Sequence, residues 1–275
     1  FNRGDNEGVG YFEVNQKNGW RWNTAKAFLR PTCYARPNFE LWNNAQVAKL
    51  ELTQSENGLR CTGVQVWDGH QMVSATARAE VLLCAGSIGS PQILELSGLG
   101  KATHLQSLGI PVRQDLPGVG ANLQDHLQIR TVFKVRNAPT LNTMANNWLG
   151  KARIGLEYAF KRSGPMSMAP SQLGAFTRSD PAQPHANIEF HVQPLSLDAF
   201  GQPLHSFNAM TASVCNLNPT SRGTVHIRSP RFADAPAIAP NYLSTDEDRK
   251  VAADSLRVAR HIMAQPAMAP YQPQE

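Results

Sequence analysis

The 275-residue chain carries 26 Lys and Arg against 21 Asp and Glu, a net charge of +5, and 41% of its residues are hydrophobic. That length supports one large or two ordinary domains with a real core, and no apolar run approaches the ~20 residues that a membrane-spanning helix needs. The basic residues are scattered, with no Lys/Arg run and no nucleic-acid motif, so they read as solvated faces and nucleic-acid binding is not expected.

The first element predicted is a pair of strand-like segments around Gly8-Val9-Gly10-Tyr11-Phe12 and Trp20-Arg21-Trp22, turning at Asn18-Gly19. Asn23 or Thr24 is placed to cap a short helix through Leu29, stopped by Pro31. From Ala45 the pattern alternates: Ala48, Leu50 and Leu52 with Lys49 and Glu51 between them. Asn57-Gly58 and Asp68-Gly69 supply turns, and Gly63-Val64-Gln65-Val66 and residues 71–77 supply two further strands. The expectation over 45–78 is a three-stranded antiparallel meander. The apolar run Val81-Leu82-Leu83-Cys84-Ala85 then reads as a buried strand of a parallel sheet. Gly86 to Gly89 reads as a glycine-rich turn, with Ser90 as N-cap and Pro91 at N1 of a helix that ends before Gly98 at a left-handed position. Ligands of α/β sheets bind beyond such strand ends, against helix N-termini. Small residues at Ala85, Gly86 and Gly89 let a flat or phosphorylated ligand approach the backbone.

Residues Gly86 to Gly100, GSIGSPQILELSGLG, resemble the second signature of the glucose–methanol–choline (GMC) flavoprotein oxidoreductases. Leu-Pro-Gly-Val-Gly at 116–120 with Asn122-Leu123 and Asp125-His126, Ser221-Arg222-Gly223, and Pro240-Asn241-Tyr242-Leu243 resemble further markers of that family, as do the Gly-rich start and the small helix before Pro31. The resemblance implies an FAD-dependent oxidoreductase acting on the CH–OH group of a primary alcohol, with hydride passing to the flavin. No side chain can accept hydride, so a cofactor is required. It assigns Val47, whose backbone would meet the adenine, together with Cys84, Ala85, Gly86 and Ser90, to FAD. It assigns His191 and Gln172 to the substrate cavity. Gln172 stands where choline-oxidising members carry a Glu that pairs with the quaternary ammonium, so the reading favours a neutral alcohol.

Asp125-His126 reads as a loop anchor rather than a catalytic pair. Residues 127–136 read as a strand crossing into a second domain, and 146–161 as a helix with Trp148, Ile154, Tyr158 and Phe160 facing inward. Met166 and Met168 read as pocket lining or core filler. Segments 173–178, 187–195, 207–217 and 223–228 are predicted to join 127–136 in one antiparallel sheet, a face of which would roof a flavin. Ser244-Thr245-Asp246-Glu247 reads as a capping box opening a helix with Ala252, Leu256, Ala259 and Met263 on one face.

The fold expected is α/β, or α+β overall. It consists of an incomplete FAD-binding Rossmann-like domain over 1–126 with the meander insert at 45–78, a substrate domain over 127–243, and a helix over 244–275. Neither the pyrophosphate-binding GxGxxG unit nor the family's His-Xaa-Xaa-Gly-Thr segment occurs in the sequence. No catalytic residue is therefore assigned, and the expected base lies beyond Glu275. The chain begins at Phe1 with no charged-then-apolar leader and reads as an internal piece, inactive alone. A hydroxynitrile-lyase-like enzyme of the same fold, or a non-catalytic truncated product, are the alternatives. Cys33, Cys61, Cys84 and Cys215 show neither CxxC nor zinc spacing, so no metal is expected, and Cys84 reads as a buried hydrophobe. Reduced thiols make a cytoplasmic setting the default, with peripheral membrane association left open. The partner expected is a small-molecule alcohol; the electron acceptor stays open.

Overall fold

The computed structural model describes every residue except 1–3, 5, 57 and 200. Asn57, half of one expected turn, therefore lies outside the described residues. In chain order the strands and helices begin with β1 (Gly8–Tyr11), β2 (Gln16–Lys17) and β3 (Trp20–Arg21), followed by a π-helical segment, Ala25–Cys33. Next come β4 (Gln46–Ser55), β5 (Gly58–Trp67), β6 (Met72–Thr76), α1 (Gly86–Leu96), β7 (Leu99–Gly100), α2 (Ala102–Ser107) and β8 (Gln114–Asp115). The remainder is β9 (Gln128–Lys134), α3 (Leu141–Met144), α4 (Trp148–Lys161), β10 (Leu173–Thr177), β11 (Ile188–Gln193), β12 (Ala209–Asn216), β13 (Thr224–His226), β14 (Ala237–Ala239) and α5 (Asp246–Met263).

The chain folds as two compact units. One comprises Phe1–Phe39, His126–Pro219 and Thr245–Glu275; the other comprises Glu40–Asp125 and Thr220–Ser244. The grouping departs from a break at 126 and 243 for a physical reason. β1 pairs antiparallel with β10, Gly8 opposite Phe176 through Tyr11 opposite Leu173, which ties the N-terminal residues to the second half of the chain. Residues 220–244 are tied back by paired hydrogen bonds between Leu123 and Gly223, at 2.8 and 3.0 Å.

The first unit is built on a five-stranded antiparallel sheet, β1-β10-β11-β12-β9. Strict alternation sends Ile188, Phe190, Ala212, Val214 and Phe133 to one face, where Val251, Ala259 and Met263 of α5 complete a buried core. The opposite face carries polar groups in register: His191 lies opposite Gly174 on one side and Ser213 on the other, and Ser213 lies opposite Arg130. Thr245, not Ser244, caps α5, accepting from the Asp248 N–H at 3.3 Å. With the helix starting one residue later, Val251, Ser255, Ala259 and Met263 turn inward and Ala252 and Leu256 sit at the flank. β13, expected in this sheet, instead pairs with β14 in the other unit, as an antiparallel ribbon.

Two proline expectations change. The segment before Tyr34 runs through Pro31 because its hydrogen bonds are spaced i→i+5, the Tyr34 N–H reaching the Leu29 carbonyl at 3.0 Å. Asn23 still accepts from the Lys26 N–H at 3.0 Å. In the second unit, α1 begins at Gly86 and its N-cap is Ala85, so Ser90 and Pro91 lie inside the helix. The missing Pro91 N–H leaves the carbonyl of Ser87 without its helical donor, and Ser87 is exposed, where water can take that role.

The meander forms as expected, β4-β5-β6, with register shifts at Val47/Lys49 and Glu51/Leu52. Asp68 closes its second turn by accepting from the N–H groups of His70 and Gln71, both at 2.8 Å. The run 81–85 is not a strand: it finds no ladder partner among the described residues, and leaves Leu82 77% exposed and Cys84 exposed. A strand exists only by pairing, and nothing in the run itself supplies a partner. Gly98 does take φ +84°, where an added Cβ would collide with the Pro111 carbonyl oxygen, so only glycine closes this turn.

Candidate functional site

Four of the segments singled out in the sequence meet in the second unit. Leu116 to Ala121 turns on the hydrogen bonds Val119 N–H to Leu116 O (3.0 Å) and Ala121 N–H to Gly118 O (3.2 Å). Gly120, at φ +74°, passes so close to β13 that a Cβ would sit 2.7 Å from His226 Nδ1. Asn241 donates to the Arg222 carbonyl at 3.0 Å, the Ser244 N–H donates to Ser221 Oγ at 3.0 Å, and the Tyr242 hydroxyl donates to Asp125. Asp125 thereby raises the Tyr242 phenol above its ordinary pKa.

These contacts hold the 118–124 loop against the start of α1, and between them lies a cavity of about 350 Å³, lined by Ser87, Ser90, Pro91 and Leu94 from the helix and by Gly118 to Gln124. Gly86 (φ +79°) and Gly118 both face open space: no atom outside the neighbouring residues lies within 4 Å of where a Cβ would stand. No side chain caps α1, so the donors of its first turn are left for a ligand or water. Cys84, Ala85, Gly86 and Ser87 are exposed. Ser90 lines the cavity directly; Gly86, Ala85 and Cys84 lead into it along the chain. Val47 lies on β4, opposite Val66, in the strand whose Leu50 N–H donates to Ser97 Oγ at the end of α1 (2.8 Å).

Sequence reasoning missed the fixture behind this corner. Glu95 of α1 is fully buried; its Oε1 lies 2.6 Å from His226 Nδ1 and its Oε2 accepts from the Ile227 N–H at 2.8 Å. His104 Nε2 lies 3.1 Å from the Ile227 carbonyl, and its ring is 5.0 Å from that of His226. The signal was a carboxylate between Leu94 and Leu96 on an otherwise uncharged helix. Among the described residues, Glu95, His104 and His226 form one of two groups of His, Cys and carboxylate side chains whose donor atoms lie within 4.8 Å of one another; His126, Glu189 and Cys215 in the first unit form the other. Glu95, His104, His226, His126 and Glu189 are each already paired to protein. Burial, then the Glu189 charge, pushes the Cys215 thiol up to about 12.

The two substrate-side residues lie in the first unit. Gln172 lines a cavity of about 290 Å³ with Tyr11, Leu173, Val192, Met210 and Met268 among its apolar walls, and no Asp, Glu, Lys or Arg lines it. His191 does not line it. Its Nε2 pairs with Glu189 at 3.1 Å and its ring packs on Phe12, centroids 5.0 Å apart. Gly174 makes room for that Phe12 ring. The Asp125-His126 pair separates: Asp125 receives Tyr242, and His126 Nε2 meets the Leu217 carbonyl at 3.1 Å. Met166 and Met168 are exposed rather than lining either cavity.

An open glycine corner beside a cavity of about 350 Å³ in one unit, and an apolar cavity on the antiparallel sheet of the other, define an α/β protein with two candidate ligand sites. Comparison with known sequences names it more closely: family models described as GMC oxidoreductase match residues 1–128 and 219–275, and the chain belongs to the GMC oxidoreductase family. It is similar to "Alcohol dehydrogenase [acceptor]" of Pseudomonas putida (37% identical over 270 residues, 98% of this chain and 48% of the relative). It is also similar to the mitochondrial choline dehydrogenase of Mus musculus (38% over 269 residues, 98% and 44%). Among solved structures, an FAD-dependent oxidoreductase from Chaetomium thermophilum superposes with a TM-score of 0.83 at 25% identity, covering 99% of this chain and 53% of that one. The chain thus spans about half the length of the relatives it matches. No helix among the described residues is long and apolar enough to cross a membrane.

Proposed function

We propose that the chain is part of an FAD-dependent enzyme that oxidises the CH–OH group of a neutral primary alcohol. The observation that carries the reading is the open corner at the start of α1, where Gly86 and Gly118 leave space that any side chain would fill. FAD fits that corner chemically: uncapped N–H groups suit a diphosphate or the edge of a flat ring, and small residues admit its face. Gly86, Ser90 and the 118–124 loop would hold it, with Val47, Cys84 and Ala85 as the supporting contacts that the family pattern assigns. When bound, FAD supplies the hydride acceptor that no side chain can provide.

The protein's own part is binding and orientation. Glu95 locks α1 to β13, and Gly120 lets the 118–124 loop lie close, so the corner is pre-formed. In the first unit the cavity at Gln172 excludes charge: a quaternary ammonium would find no carboxylate there, whereas an apolar alcohol finds Leu173, Val192 and Met210. His191 stands on the other face of that sheet, held by Glu189 and Phe12, and takes no part in this cavity. The sheet unit is the substrate domain and the α1 unit the cofactor domain in this reading. The setting in this reading is cytoplasmic.

The test is turnover by the full-length protein of choline against 3,3-dimethylbutan-1-ol, its uncharged isostere. Preference for the isostere is expected; equal or better use of choline overturns the substrate assignment.

A further inference from the structure

Glu95 is a carboxylate in an unfavourable place. It is fully buried and lies in the last turn of α1, the negative end of the helix dipole, and that turn holds no basic residue. Its two oxygens meet an imidazole and a backbone N–H, neither of which is a fixed positive charge. His104 of α2 and His226 of β13 stand beside it, and one donor atom from each of the three lies within 4.8 Å of the others. All three residues belong to the second compact unit.

The hydrogen bonds around the group are those of an oriented ligand set. A carbonyl can only accept, so at the Ile227 carbonyl His104 Nε2 carries the proton, and Nδ1 keeps the lone pair of the neutral ring. The Ile227 N–H fixes Glu95 Oε2 and leaves Oε1 for another partner. One residue, Ile227, therefore orients two of the three side chains. Metal-binding histidines are commonly held through their other nitrogen by a backbone carbonyl, and metal-binding carboxylates by a hydrogen bond, in this manner.

We infer that Glu95, His104 and His226 bind a divalent ion of the zinc class. Side-chain rotations of about 1 Å would bring their donor atoms to the ~2.0–2.2 Å of zinc–nitrogen and zinc–oxygen bonds. Two imidazoles and one carboxylate suit zinc rather than magnesium or calcium, which take oxygen ligands. The ion replaces the proton on the Glu95–His226 contact, which passes to solvent beside His226, whose side chain is 26% exposed. It supplies the positive charge that the buried carboxylate lacks and ties α1, α2 and β13 together, so its role is structural. Cysteine spacing carried no sign of it, because the ligands are His and Glu from distant parts of the chain. The inference stands apart from the oxidoreductase reading, since metal binding is read without turnover.

The experiment treats the full-length protein with a chelator, removes the chelator, and follows bound metal and melting temperature as zinc or magnesium is added. Expected are one zinc ion per chain bound at this group and a melting temperature that rises with zinc and not with magnesium. His104→Gln can still donate to the Ile227 carbonyl, and Glu95→Gln can still accept from the Ile227 N–H. Each should nevertheless bind zinc about tenfold or more weakly. Cys215→Ser, in the other group of His, Cys and carboxylate side chains, should bind it as the wild type does. In the wild type alone, no rise with zinc, or an equal rise with magnesium, overturns the inference whether or not the variants fold. So does zinc binding that is unchanged in His104→Gln, and so does binding that is lost in Cys215→Ser.

Discussion

Glu95 carries the largest local consequence of any single side chain here. Its carboxylate has no solvent exposure and two protein partners, so removing it strands the buried Ile227 N–H and takes the acceptor from half-buried His226. Glu95→Ala should cost about 2–4 kcal/mol in urea unfolding, and Glu95→Gln, which keeps an acceptor for Ile227, clearly less. Equal losses would mean that the helix packs there through its apolar neighbours alone. The thiols give a second test at this scale. Cys84 is exposed and Cys215 buried with its pKa pushed up to about 12, so a thiol reagent near neutral pH should label Cys84 in the native protein and leave Cys215 until unfolding. Sequence gave Cys84 the opposite character, because its apolar neighbours Leu82 and Leu83 look like a core strand when no partner can be seen.

Elements that make their own case locally were readable from residue pattern. The meander follows from alternation plus Asp68-Gly69, and β10, β11 and β12 from alternation alone. What escaped was whatever depends on a distant partner: the pairing of β1 with β10, the departure of β13 to β14, and the outward turn of Trp148 and Phe160 on α4. Periodicity reveals that a stripe exists and not which side the neighbours occupy. In α5, Lys250 bridges Asp254 at 2.7 Å and Asp180 at 2.9 Å. The Lys250 ammonium is the first cause holding both carboxyls below the usual value of 3.8. Depressed acids contribute stability that is fully present above that usual value and lost as pH falls through the lowered one. Lys250, raised by Asp254 and then Asp180, adds a contribution present below its usual 10.5 and lost as pH rises through the higher folded value. All three groups meet solvent, so the effect is small. The melting-temperature gap between wild type and Lys250→Ala should be flat across neutral pH and close toward acid; a gap that persists at low pH would show that Lys250 acts by packing.

At the scale of the molecule, membership of the GMC family was legible because its markers are dense in glycine and proline, whose backbone needs are fixed by geometry. Gly98 and Gly120 show it: each takes a positive φ beside a carbonyl that a side chain would strike. The glycine corner was misread in detail, since α1 starts five residues earlier than its Ser-Pro suggested. Gly118→Leu, which fills the cavity between α1 and the 118–124 loop without touching the core, should weaken FAD binding about tenfold or more while leaving the unfolding midpoint unchanged. The most direct test of the account is the visible spectrum of the purified full-length protein before and after anaerobic addition of a primary alcohol. An FAD absorbance that bleaches with the alcohol is the predicted result. A protein that carries no flavin, or one whose flavin stays oxidised while the substrate is consumed, would contradict the account.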